Sequence, residues 1–218
     1  MMIGLIPART GSKRVPNKAL SDIDGYPLLH YTIKVALKSN LKHVILSTNY
    51  PRTAIESIGF GPRLEYIKRP EAMCADMSPA SDYIKHIIDL KDLQPGDTIC
   101  LLQPTCPIRR VVDINNAIIK YKNSLKMSLV SAYKLGFLSK LYDSQGVSMK
   151  MDKESYMYYR NSSIYIFDVG LFLKTGTIFE PEPEIFEMPQ YQSVDIDTPE
   201  DFTHAELILK GGFNCVTI

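Results

Sequence analysis

The stretch Met2-Ile3-Gly4-Leu5-Ile6-Pro7-Ala8-Arg9-Thr10-Gly11-Ser12-Lys13-Arg14-Val15-Pro16-Asn17-Lys18 decides how this chain is read. It opens with a short run that has no charge, as a strand covered on both faces of a parallel sheet requires. It then turns polar and basic: a glycine for tight curvature, a hydroxyl, and the cations Arg9, Lys13, Arg14 and Lys18. In an open α/β sheet, ligands bind beyond the carboxyl ends of the strands, and this loop leaves such an end. Backbone amides with Lys and Arg side chains form a cradle for a polyphosphate. Neither GxxxxGK[ST] nor GxGxxG is present, so the loop is not one of the common phosphate fingerprints. A solvated basic surface loop is the other reading of the same residues.

Working outward, similar apolar runs recur at residues 42–47, 64–67 and 98–102. Apolar residues at helical spacing mark helices over 28–38, 81–90 and 111–121. The alternation predicts an α/β fold built on a doubly wound, mostly parallel sheet. Past residue 127 the pattern changes. Strands are expected at 128–133 and 162–167, and a short helix at 169–174. Between the two strands, 140–142 and 147–151 flank the turn-rich Asp143-Ser144-Gln145-Gly146 and read as a hairpin. Glu180-Pro181-Glu182-Pro183-Glu184 reads as a loop, and Pro199 opens a last helix that Gly211-Gly212 ends. One domain over 1–218 is expected, with an inserted β excursion near 134–166.

A chain of 218 residues can bury a self-sufficient core. Lys+Arg is 25 against Asp+Glu 24, a net charge of +1, so the basic excess of a nucleic-acid or acidic-membrane binder is missing. Cys74, Cys100, Cys106 and Cys215 show neither CxxC nor zinc-ligand spacing, which suits buried thiols in a reducing cytosol. No apolar run approaches the roughly 18 residues of a membrane span, and the first residues lack a signal peptide's basic start. A cytoplasmic protein is expected.

A second signal is Asp195-Ile196-Asp197 before Thr198-Pro199-Glu200-Asp201. On a short strand the two aspartates would face the same side. Such a pair can hold a Mg²⁺ that takes its other ligands from phosphate and water. The competing reading is a helix N-terminus, with Thr198 as N-cap and Glu200 and Asp201 at the positive dipole end; it leaves Asp195 unexplained. A third signal, Leu101-Leu102-Gln103-Pro104-Thr105-Cys106-Pro107-Ile108-Arg109-Arg110, leaves the fourth strand, and Lys68-Arg69-Pro70-Glu71 leaves the third. Three strand ends thus deliver polar or cationic groups to one rim. Cys106 has no adjacent base that would make it a nucleophile. His30, His43, His86 and His204 form no constellation.

Taken together, these stretches resemble the bacterial N-acylneuraminate (CMP-sialic acid) cytidylyltransferase family, which includes legionaminic- and pseudaminic-type synthetases and, more distantly, CMP-Kdo synthetases. The family's IPAR-x-GSK loop is matched by Ile6 to Lys13 with Pro16-Asn17-Lys18, and its LLQPTSPLR by Leu101 to Arg109. RP…D is matched by Arg69-Pro70 with Asp76, NGAIYI by Asn161 to Ile166, and IDIDTPED by Val194 to Asp201. The resemblance implies a Rossmann-like nucleotidyltransferase that joins CTP to a nine-carbon ulosonic acid and releases pyrophosphate. Arg9, Ser12 and Lys13 would bind the triphosphate, Lys18 would neutralise the phosphate under attack, and Asp195 and Asp197 would hold Mg²⁺. Arg69, Ser78 and Ser81 would contact cytosine and ribose, and Gln103, Tyr159 and Arg160 the sugar. The hydroxyl proton would pass to Asp197 or to water. The excursion would reach a partner subunit, giving a homodimer.

Five positions depart from the family pattern: Ala19 for Asn, Asn49 for the Asp of STD, Ser162-Ser163 for Gly-Ala, and Cys106 for Ser. Ala19 keeps open another nucleotide, another (Kdo-type) sugar acid, or a non-catalytic sugar-nucleotide binder.

Overall fold

A computed structural model describes residues 1–56, 63–135 and 157–211. Its centre is β1 (Met2–Ala8), the first strand of the reading above. β1 pairs in parallel with β4 (Val44–Thr48) on one side and with β6 (Thr98–Leu102) on the other. β4 in turn pairs in parallel with β5 (Leu64–Lys68). These four strands therefore end along one edge, at Ala8, Thr48, Lys68 and Leu102.

The strands are apolar because both faces are covered. Ile6, Leu46, Cys100 and Leu102 pack on one face with Leu29, Ile33 and Ala36 of α1 (Leu28–Lys38) and Ile114, Ala117 and Ile118 of α4 (Val111–Asn123). Ile3, Leu5, Ile45, Ile99 and Leu101 pack on the other with Ile84, Ile87 and Ile88 of α3 (Ala80–Leu90) and Phe172 of α5 (Val169–Thr175). Packing over β1 is close at Gly4: a Cβ there would lie 2.9 Å from Leu41 Cδ1, so the Leu41 side chain would have to shift. The expected strands and helices thus form close to the predicted bounds. Only a single short turn, α2 (Arg52–Glu56), is described between β4 and β5.

The sheet continues as β5-β4-β1-β6-β8-β7-β9. β8 (Met157–Asp168) runs antiparallel to both β6 and β7 (Ser128–Leu135). β9 (Glu184–Glu187) pairs in parallel with β7, so a strand begins where the Pro-rich loop was expected to end. A two-residue pair, β2 (Asp22–Ile23) with β3 (Tyr26–Pro27), also escapes the sequence reading, because two residues carry no periodicity. The predicted hairpin at 140–142 and 147–151 lies outside the described residues, as does most of the 134–166 excursion. Among the described residues, no helix is long and apolar enough to cross a membrane.

Two features tie the end of the chain to the sheet. α6 (Pro199–Lys210) has the expected cap: Thr198 Oγ1 accepts from the Asp201 amide, and Asp201 Oδ2 accepts from the amides of Thr198 (2.8 Å) and Asp197 (2.9 Å). Val194, Ile196, Ala205 and Ile208 share a small core with Ile23 and Leu28. The β7–β8 register also slips, from Val130–Tyr165 to Ala132–Arg160, at a bulge. There Asn161 accepts from Ser131 Oγ at 2.6 Å and donates to Ser193 Oγ at 2.8 Å.

The same bulge holds Ser162 at φ 58, in the left-handed region that Gly occupies without strain. That is the physical reason for a glycine at this position of the resembled motif. Ser162→Ala and Ser162→Gly both lose the hydroxyl, and only Ala keeps a Cβ in the strained region. Ala is therefore expected to be less stable than Gly by about 1 kcal/mol. Thermal unfolding should show this as a difference of roughly 2–4 °C for a chain of this size.

Candidate active site

The loop after β1 curls back on itself because two residues adopt positive φ, Gly11 at 79° and Asn17 at 53°. The curl closes a cavity of about 280 Å³ lined by Arg9, Ser12, Lys13, Arg14, Lys18, Asp76 and Asp197. A second recess of about 190 Å³ shares the wall of Arg9, Ser12 and Lys18 and runs toward Pro104 and Thr105. A larger hollow, about 590 Å³, lies at the opposite edge around Met1, Leu41 and Ile118, away from all the motifs.

The cleft cations are held by two carboxylates, one from each wall. Asp76 pairs with Lys13 (2.8 Å) and Arg9 (2.9 Å), and Arg9 also donates to the Cys74 carbonyl at 2.8 Å. Hydrogen bonds from Lys13 and then Arg9 hold the Asp76 carboxyl below its ordinary range. On the other wall, Lys18 Nζ donates to the Ile196 carbonyl at 2.6 Å and to Asp197 at 3.0 Å, and Arg14 lies 3.3 Å from Asp197. The Lys18 side chain is 12% exposed against 81% for Lys13. Lys18 is thus a fixed charge, whereas Lys13 is free to follow a ligand. Four cations against two carboxylates leave the cleft positive.

Asp195 and Asp197 face the same side, as expected: Val194 and Ile196 between and beside them are buried, and the two aspartates are not. The segment is extended but is not a strand. It is tied by a backbone bond from the Ile196 amide to the Thr105 carbonyl at 2.9 Å. Asp197 opens into the cleft, while Asp195 lies against the buried Cys106 thiol. Among the described residues, no three His, Cys, Asp or Glu side chains cluster as a self-contained metal site. Two same-side carboxylates suit a hard cation that completes its shell with phosphate and water.

The remaining predicted residues are dispersed. Arg69 sits behind the cleft rather than in it. It is 2% exposed, donates to Ser47 Oγ and O, and stacks 4.3 Å over the Tyr83 ring. The direct cytosine contact expected of it therefore does not follow from its placement. Ser78 closes the loop that carries Asp76, through a 3.0 Å bond to the Ala72 carbonyl. Ser81 is half-buried in the first turn of α3. Gln103 is half-buried just past β6. Tyr159 and Arg160 lie on the part of β8 that runs beyond β6, both exposed. Tyr159 packs against Tyr133 and Arg160 lies over Phe179. They do not line the cleft.

Sequence reasoning assigned no role to Arg14, Asp76 or Arg109. Asp76 was visible as the acid of the RP…D segment. Arg109 is fully buried: its guanidinium donates to the Ser163 carbonyl, to Thr32 Oγ1 (3.0 Å) and to the Gln103 carbonyl (3.5 Å). It clamps the 103–110 loop onto β8 and α1. An arginine beside Pro107-Ile108 was the only hint.

The family model for cytidylyltransferases matches residues 3–211, nearly the whole chain. The chain belongs to the cytidylyltransferase family. It is 32% identical to the CMP-N,N'-diacetyllegionaminic acid synthase of Legionella pneumophila, over 96% of each chain. It is 24% identical to a pseudaminic acid cytidylyltransferase of Campylobacter jejuni, over 94% of this chain and 95% of the other. Against an N-acylneuraminate cytidylyltransferase of Streptococcus agalactiae it is 26% identical and spans about half of that protein's length (52%). Among solved structures, a CMP:2-keto-3-deoxy-manno-octonic acid synthetase complexed with CTP shares the fold, with TM-score 0.69 at 16% identity over 96% of this chain and 98% of that one. So does a 4-diphosphocytidyl-2C-methyl-D-erythritol synthase, with TM-score 0.69 at 12% identity over 95% of this chain and 98% of that one.

In this cytidylyltransferase Cys106 is no nucleophile. It is 0% exposed, it donates to the Asn161 carbonyl at 3.2 Å, and burial, reinforced by Asp195, pushes its thiol up. A serine hydroxyl can make the same bond. Cys106→Ser is expected to keep kcat within about threefold of wild type; a steady-state assay of pyrophosphate release checks this.

Proposed function

We propose that this cytidylyltransferase transfers CMP from CTP to the anomeric hydroxyl of a nine-carbon ulosonic acid and releases pyrophosphate. The observation that carries the reading is the single cavity in which Arg9, Lys13, Arg14 and Lys18 converge with Asp197 at the carboxyl edge of the sheet. The whole-length similarity to a legionaminic acid synthase supports the sugar class.

The chemistry needs positioning and charge neutralisation more than covalent help. The sugar oxygen forms a bond to the α-phosphorus, the bond to the bridging oxygen of the β-phosphate breaks, and pyrophosphate departs. Lys13 and Arg9 would exchange Asp76 for the outer phosphates. Lys18, fixed beside Asp197, would stand at the phosphate under attack. Asp195 and Asp197 would hold Mg²⁺, which when bound supplies Lewis-acid neutralisation of phosphate charge. The hydroxyl proton would leave to Asp197 or to water. Gln103 opens the sugar side. The exposed Tyr159 and Arg160 would serve that side in a homodimer, in which a second copy packs near the outer end of β8.

Asp197→Ala should lower kcat on the order of a hundredfold or more, because it removes a charge that acts on the transferring phosphate. The fold should remain, since the Asp197 contribution to the α6 cap is its backbone amide. Wild-type turnover in that variant would refute the metal assignment.

Ala19 favours a second reading, another base or sugar acid. It is 7% exposed and presents a methyl to the smaller recess, where the resembled motif carries an amide. A panel of CTP, UTP, GTP and ATP against eight- and nine-carbon ulosonic acids, read by pyrophosphate release, separates the two. Release is expected with CTP and a nine-carbon acid. Its absence from every such pair would overturn the proposal.

A further inference from the structure

We infer that Asn49 is a positioning residue that locks the phosphate-binding loop to the neighbouring loop of residues 69–78, and that it works as an amide because Glu71 faces it. The inference rests on the reading of the 9–18 loop as the triphosphate cradle.

Asn49 stands immediately past β4, between the ends of β1 and β5. Its side chain makes three bonds. Oδ1 accepts from the Thr10 amide at 2.9 Å, and Nδ2 donates to Thr10 Oγ1 at 2.7 Å and to Glu71 Oε2 at 2.9 Å. Thr10 lies between Arg9, which reaches Asp76 and the Cys74 carbonyl, and Gly11, whose positive φ starts the curl. Fixing both the amide and the hydroxyl of Thr10 leaves that residue little freedom, so the direction in which Arg9 and Lys13 leave the backbone is set there. The third bond joins this clamp to the segment that carries Asp76, the counter-charge of the same two cations. The loop that presents the cations and the loop that balances them therefore move as one piece.

The chemistry explains the residue type. A carboxylate at position 49 could still accept from the Thr10 amide and, with the hydroxyl turned, from Thr10 Oγ1. It could not donate to Glu71, and two carboxylates at this separation repel. The departure from the resembled STD motif is thus matched to Glu71. A glutamine at 71 would donate where Glu71 accepts, which predicts a reciprocal rescue.

The test compares wild type, N49D, N49A and the double variant N49D/E71Q by steady-state pyrophosphate release, together with calorimetric binding of inorganic tripolyphosphate. N49D and N49A are expected to raise KM for CTP about tenfold and to weaken tripolyphosphate to a similar degree. KM for the sugar acid should stay within about twofold. N49D/E71Q is expected to recover most of both losses, which a merely destabilised fold would not do. Wild-type KM in N49D, or a loss in N49D/E71Q as large as in N49D, would overturn the inference while the functional reading stands. A wild-type protein that neither binds tripolyphosphate nor releases pyrophosphate would overturn both.

Discussion

β1 lies in the middle of a sheet covered on both faces, and this burial constrains everything else. Its side chains from Ile3 to Ile6 have no contact with water, so the strand has no room for chemistry along its length. Parallel pairing to β4 and β6 then brings three loops to one edge. The basic loop, the Asn49 turn and the Gln103 loop are neighbours because the strands before them are neighbours. The fourth wall comes from far away. Lys18 reaches the Ile196 carbonyl and Asp197 across 178 and 179 residues of chain.

That long contact has its own support. The 194–197 segment is not held by a ladder. Val194 and Ile196 anchor it in the small core under α6, the Ile196 amide bonds Thr105, and Asn161 holds Ser193 from the bulge in β8. Each anchor is modest, but together they place the Asp197 carboxylate against Lys18 and Arg14. Arg109 does similar work on the next loop. A buried guanidinium is costly unless its hydrogen bonds are made, and most of its donors here are turned to backbone and hydroxyl acceptors. The antiparallel entry of β8 beside β6 supplies the Ser163 carbonyl that it needs.

Much of the fold was legible before any coordinates. Apolar runs without alternation read as central parallel strands, because double-sided burial imposes that composition. Helical stripes read as α1, α3 and α4 because a helix lying on the sheet buries only one of its faces. β2, β3 and β9 were not legible, being two to four residues long and held by pairing rather than pattern. In the site, Arg9, Lys13, Lys18 and Asp197 do meet. Arg69 does not line the cleft, since a strand-end arginine looks the same in sequence whether it turns outward or packs over Tyr83. Asp76 and Asn49 needed distances to gain a role.

The sequence by itself determined the layered architecture, the basic loop at a strand end and the capped acidic segment. Each is a local matter of hydrophobic period, backbone curvature or charge placed a few residues apart. Only the tertiary structure decided which charges oppose which, that Ser162 must bend through the left-handed region, and that Asn49 faces Glu71. Those facts depend on strand order and on a register slip between β7 and β8. Both are set by how whole faces pack, and neither leaves a trace in any short stretch of chain.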